Sequence, residues 1–317
     1  MELGQKVQQA YPIQELGLYN CENEHDACGV GLVATLDNKP EHRIVEMGLT
    51  ILKRLMHRGA AGGDPDTGDG AGILMAIPNE FFRKNVSFAL PDSGSYAVGM
   101  IFGGEGLEEK IEAAVIGRGM SILGWRKVPV APPALGRLAQ ESMPLIRQVF
   151  VGGESFANQN EFERKLFVVR RILEKSYPEI TFCSFSSRSI VYKGLLLATQ
   201  IDDFYADLKN PLFASPLALV HQRYSTNTFP TWKLAHPFRF LAHNGEINTL
   251  RGNLNHELAR EPLYKSELFG SELAESLPLI DGNLSDSACL DNMLELLLLS
   301  GRTLPHAMLM LMPQAWG

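Results

Sequence analysis

The sequence predicts an α+β protein in which antiparallel sheets are covered by helices. Three observations point there. Apolar runs of strand length outnumber helical stripes, and some follow one another with no helix between, as at 181–186 and 189–197; a doubly wound parallel sheet needs a crossover helix each time. The helical segments carry one-sided apolar stripes, the pattern of helices laid against a core. Hydrophobic residues make up 45% of the 317 residues, enough for one large domain or two ordinary ones with a sizeable interior.

Residues 1–27 are polar and aperiodic and read as a leader without a core of its own. Cys28 to Leu36 is apolar almost throughout, which predicts a strand buried on both faces. A helix over about Glu41–Met56 follows from Ile44, Gly48, Ile51, Leu52 and Leu55 at three- and four-residue spacing. The run His57–Gly72 is dense in glycine and aspartate. It lacks the Gly-Lys-Ser/Thr ending of a phosphate loop and the ligand spacing of an EF-hand, so it reads as an irregular loop whose glycines let backbone approach a neighbour. Strands are predicted at Ile73–Pro78 and Ser95–Phe102, a helix at Leu107–Leu123, and a strand at Trp125–Val130 stopped by Pro132-Pro133. Met143–Val151 is a further apolar run. The next helix takes Asn160 as N-cap with Glu163 three residues on, and its stripe is Phe162, Leu166, Val169 and Leu173. Thr181–Ser186, Ser189–Leu197 and Leu217–Val220 read as strands. Ser285 or Asp286 caps a helix over about Ala288–Leu299, and Thr303–Met312 forms another. The stop at Gly317 without a terminal signal reads as a fragment of something longer.

The net charge of −7 argues against a nucleic-acid partner, which wants a basic footprint. No apolar run reaches membrane-spanning length, and the N-terminus lacks the apolar core of a signal peptide, so a cytoplasmic protein with no membrane partner is expected. The four cysteines, Cys21, Cys28, Cys183 and Cys289, include no CxxC pair. They read as free thiols in a reducing compartment, and no metal site is expected. Cys28 alone, in an apolar setting, fits a buried structural thiol better than a nucleophile at a strand end. Arg223, taken alone, fits a surface arginine; Asn244-Gly245 fits an ordinary turn, and Asp286 a helix N-cap.

Taken together, and in this order, Ala27-Cys28-Gly29-Val30-Gly31, HRGAAGGDPDTGDGAGIL from His57, HQRYSTNTFPTW from His221, AHPFRFLAHNGEINTLRGN from Ala235 and Ser285-Asp286-Ser287 resemble the class II, N-terminal-nucleophile glutamine amidotransferases, and in wording the amino-terminal domain of the glutamate synthase large subunits. The resemblance runs from Cys28 to the end. It implies a four-layer αββα sandwich of two mainly antiparallel sheets, with a glutamine amidotransferase domain over 28–317, incomplete at its C-terminus, and a propeptide at 1–27. It also implies that L-glutamine is hydrolysed through a thioester at Cys28, with the freed α-amino group relaying the thiol proton. Asn244 and Gly245 would form the oxyanion hole, Arg223 would clamp the substrate α-carboxylate, and Asp286 would face its α-ammonium. Arg58 resembles a family arginine beside the nucleophile, where a cation favours thiolate. His221, His236 and His243 are expected to be structural, and Cys183 and Cys289 core thiols. Ammonia would pass to a synthase site of the full-length chain. FMN, an iron–sulfur cluster and electrons from a small subunit or ferredoxin serve that site, and no redox cofactor is expected in this segment. Amidotransferases feeding phosphoribosyl or fructose-phosphate acceptors are disfavoured by the long stretch between Ile73 and Pro216. A non-catalytic docking domain would have lost Cys28, Arg223, Asn244 or Asp286.

Overall fold

The computed structural model describes residues 29–223, 228–245, 247–280 and 284–312. Eight strands form two four-stranded sheets in which every pairing is antiparallel. The first sheet has the order β1-β8-β2-β7, from Val30–Ala34, Leu217–Gln222, Ala71–Ala76 and Ser189–Gly194. The second has the order β4-β5-β3-β6, from Ser121–Lys127, Leu145–Gly152, Tyr96–Gly103 and Thr181–Ser186. Helix α1, His42–Arg54, buries Ile44, Val45, Gly48, Leu49 and Leu52 on the outer face of the first sheet. Helices α3, Glu108–Ile116, and α4, Gln159–Ser176, cover the outer face of the second. Between the sheets lies a core of Phe82, Tyr96, Phe150, Tyr192 and their neighbours. Side chains of this size contribute roughly 1.5–3 kcal/mol each when fully buried. The layers therefore stack as αββα.

Helix α2, Asn79–Asn85, helix α5, Leu250–Arg260, and three shorter helical segments at 137–141, 201–204 and 272–276 have no counterpart in the sequence reading. Helix α6, Asp286–Leu299, packs on α4 and on α7, Leu304–Leu311. Among the described residues no helix is long and apolar enough to cross a membrane.

Four expectations are corrected. Strand β1 is not buried on both faces: it is the sheet edge, and Leu32 is 64% exposed. The helix expected over Leu107–Leu123 ends at Ile116, because Gly117-Arg118-Gly119 turns the chain, with Gly119 at φ +77. Residues 121–127 are already strand, earlier than the predicted 125–130. The cap of α4 lies two residues earlier than predicted: Asn158 Oδ1 accepts from the Glu161 N–H at 3.0 Å, and Glu161 Oε2 accepts from the Ala157 N–H at 3.1 Å. Glu163 instead reaches the turn between β6 and β7, accepting from the Ser187 N–H at 2.7 Å and the Ser186 hydroxyl at 3.0 Å. That turn leads not to a hairpin but from one sheet to the other.

Candidate active site

The sequence motifs gather where β1, β2 and β8 end together. Cys28 lies outside the described residues, but its neighbour Gly29 is buried and its carbonyl accepts from the Gln222 N–H at 2.8 Å. A side chain at Gly29 would sit 2.5 Å from the Gln222 carbonyl and 2.9 Å from the Asn244 side-chain amide, so only glycine fits between β8 and that amide. The loop His57–Gly59 closes in from another side: a Cβ on Gly59 would overlap the Gln222 side chain. Arg58, next to it, keeps its Nε buried and unpartnered among the described residues.

Arg223 follows β8 directly. Its N–H donates to the Gly70 carbonyl at 2.8 Å, which hooks the end of β8 to the glycine-rich loop. The side chain is buried, Nη2 donates to Thr228 Oγ1 at 2.7 Å, and Nη1 has no partner among the described residues. Burial pulls the guanidinium below its usual value, while Asp69 and Asp286 oppose that pull.

Asn244 and Gly245 are exposed in the segment between Leu241 and α5. With its amide oriented to match its neighbours, Asn244 donates through Nδ2 to His221 Nε2 at 2.7 Å and to the His243 carbonyl at 3.3 Å, and its Oδ1 accepts from the Gly29 N–H. Offering an Nδ2 proton to an oxyanion therefore means giving up one of those bonds, and the long one to His243 is the weaker. Asp286 opens α6, whose N-cap is Ser285. Its Oδ2 accepts from the Ile247 N–H at 3.2 Å and its Oδ1 from the Ser287 N–H at 2.6 Å. The same carboxylate acts electrostatically on Arg223 and on His243. Asp286 therefore keeps the N-terminal place on the helix while its charge faces the cleft.

The three histidines form a brace behind Asn244. His221 stacks on His236 with centroids 4.4 Å apart, His236 lies 5.7 Å from His243, and His243 Nε2 sits 2.8 Å from Ser287 Oγ. Burial lowers His221 to about 4 and His236 well below the ordinary histidine value; it lowers His243 too, with Asp286 opposing. Neutral His221 is what an acceptor for the Asn244 amide must be. The sequence reading had these histidines as structural but did not foresee the brace, nor Thr228 on Arg223 and Ser287 on His243, although both residues lie inside the quoted motifs.

A sequence profile of the family described as "Glutamine amidotransferases class-II" matches residues 28–317. The chain belongs to that family. This class II amidotransferase chain is 49% identical to "Glutamate synthase [NADPH] large chain" of Bacillus subtilis (strain 168), over 95% of this chain and 20% of that protein. It is 42% identical to "Ferredoxin-dependent glutamate synthase 1, chloroplastic/mitochondrial" of Arabidopsis thaliana, over 96% of this chain and 20% of that one. It is 41% identical to "Glutamate synthase [NADH]" of Saccharomyces cerevisiae, over 95% of this chain and 15% of that one. The chain thus spans about one fifth of the length of the first of these curated relatives. The family match begins at Cys28, the residue that the motif reading singled out.

Proposed function

We propose that this amidotransferase domain hydrolyses L-glutamine to L-glutamate and ammonia, as the glutaminase part of a glutamate synthase. Removal of residues 1–27 would leave Cys28 with a free α-amino group of pKa ~7.7–8. That amine takes the thiol proton, the sulfur attacks the γ-carboxamide carbon, and the proton passes to the departing ammonia. Water then cleaves the γ-glutamyl thioester and restores the thiol. Asn244 Nδ2 and the Gly245 N–H stabilise the oxyanion, Arg223 binds the α-carboxylate and Asp286 the α-ammonium. Reading both charged ends of an amino acid selects glutamine over simple amides.

The observation that carries this reading is the Arg223 guanidinium: it is buried, with one nitrogen tied to Thr228 and the other, Nη1, without a partner among the described residues, within the electrostatic reach of the Asp286 carboxylate. A buried cation with an open donor fits an anionic ligand. In the larger protein the ammonia would pass to a synthase part that aminates and reduces 2-oxoglutarate, with FMN, an iron–sulfur cluster and electrons from NADPH, NADH or ferredoxin. The described residues do not suit that cluster: Cys183 lies in the core between the sheets and Cys289 in the core of α4 and α6, so they share no site. The buried Cys183 thiol is free, which supports a reducing, cytoplasmic setting.

Intact mass before and after treatment with a diazo-ketone analogue of glutamine tests this. A mass beginning at Cys28, carrying one adduct that Cys28→Ser abolishes, is expected. A chain produced to begin at Cys28 that stays unmodified and releases no ammonia from glutamine would overturn the reading.

A further inference from the structure

Behind the cleft lies a second cavity, of about 550 Å³, between the C-terminal half of α4, the start of β6, Lys193 on β7, the segment 233–239 and α6. Its described lining carries five cations, Arg171, Lys175, Lys193, Lys233 and Arg239, against one carboxylate, Glu174. Arg239 is satisfied: it pairs with Glu295 and Asp291, each at 2.9 Å. Glu174 is committed to Arg170 at 2.7 Å and approaches Arg171 only to 3.8 Å.

Among the described residues Lys193 and Lys175 form no ion pair, Arg171 has only the long one to Glu174, and Asp291 acts on Lys193 electrostatically without bonding it. Lys193 is 2% exposed and donates only to the carbonyls of Lys233 at 3.1 Å and Ala235 at 2.7 Å. Lys175 donates only to the carbonyls of Glu275 and Leu277. Arg171 donates to those of Ser276 and Pro278. Buried charge is ordinarily paired, and burial here draws Lys193 down to about 8 and Arg171 down to about 10. The lining also carries Ile180, Phe182, Phe238 and Leu284, and Lys193 Nζ lies 4.5 Å from the centroid of the Phe238 ring. A chamber lined by an excess of cations together with apolar side chains is complementary to a carboxylate on a short carbon skeleton.

We propose that this cavity is a binding site for a small organic anion, whose carboxylate meets Lys193, Lys175 and Lys233 and whose carbon chain lies on Phe182 and Phe238. The inference does not depend on the glutaminase reading. The cavity lies close to that site, because the carbonyls Lys193 holds, of Lys233 and Ala235, come just before His236, which stacks on the His221 that holds Asn244.

The test is a calorimetric titration of the 317-residue chain with glutarate at neutral pH and low salt, with inorganic phosphate as a second probe. Glutarate is expected to bind the wild type and Arg223→Met alike, and at least tenfold more weakly to Lys193→Met. Lys175 and Lys233 are exposed at the mouth, so a Lys175→Gln/Lys233→Gln double variant keeps the fold and is expected to lose several-fold in affinity even if Lys193→Met does not fold. No binding to the wild type overturns the proposal. So does loss in Arg223→Met with retention in both lysine variants, which would put glutarate in the glutamine site. Equal affinity for phosphate overturns the assignment to organic anions.

Discussion

The two ends of the Arg223 guanidinium have different surroundings: Nη2 is fixed by Thr228 and Nη1 is open. A lysine at this position would keep the charge but lose the planar fork that meets a carboxylate with two bonds. Losing a charge-assisted hydrogen bond costs about 1.5–3 kcal/mol, so Arg223→Lys is expected to raise KM for glutamine by roughly 10–100-fold, with a smaller change in kcat. Asn244→Ala is expected to do the reverse. An oxyanion donor acts in the transition state, so kcat falls by about 10²–10³ with KM near wild type. Steady-state ammonia release separates the two, and a shift mainly in KM for Asn244→Ala would remove it from the oxyanion hole. At this scale the sequence placed Arg223 at the end of a strand and Asp286 at the start of a helix, as the structure has them, while their roles toward a substrate come from the family resemblance. Residues that act through a partner far along the chain, such as His221 on Asn244 or Ser287 on His243, were not legible, because nothing local distinguishes them.

Elements hold these residues by charge as well as by packing. Arg239, just ahead of the Asn244 segment, is locked onto α6. Burial pulls its guanidinium down, but Glu295 and Asp291 outweigh that and raise it. Asp291 is fully buried and also accepts from the Phe240 N–H at 2.8 Å, so one helix fixes the course of the chain that delivers Asn244. Removing one member of a buried pair strands the other, and the cost is about 3–5 kcal/mol. Asp291→Ala is therefore expected to destabilise the fold by that amount in urea unfolding, whereas Lys84→Ala, whose partner Glu80 is exposed, is expected to cost well under 1 kcal/mol. Similar losses in the two variants would remove this role from Asp291. The element boundaries show the limits of pattern reading. The stripe of α4 was correct, but two asparagines and two glutamates at matching spacing made two possible caps, and only contact with the β6–β7 turn assigned Glu163 away from the cap. The helix expected over Leu107–Leu123 ran too long because apolar residues beyond Gly119 suit a strand as well as a helix.

For the whole molecule, the histidine brace ties stability to pH. His221, lowered to about 4 in the fold, takes up a proton on unfolding at any pH between about 4 and its unfolded value near ~6.5. Its contribution is therefore full above ~6.5 and is lost as pH falls through that window, at roughly 1.4 kcal/mol per unit, or about 2 kcal/mol by pH 5. His236 adds in the same direction. Urea midpoints at pH 7 and pH 5 measure this; the acid loss is expected to shrink in His236→Phe, and an undiminished loss would exclude that residue as a source. The sequence by itself determined the family, and through that resemblance the αββα layering, because ordered motifs are local properties of the chain. Only the tertiary structure decided that β1 is an exposed edge, that three histidines stand behind Asn244, that Arg223 Nη1 has no partner among the described residues, and that an excess of cations lines a cavity. Each of these depends on which distant segments meet, and hence on what burial leaves paired or unpaired.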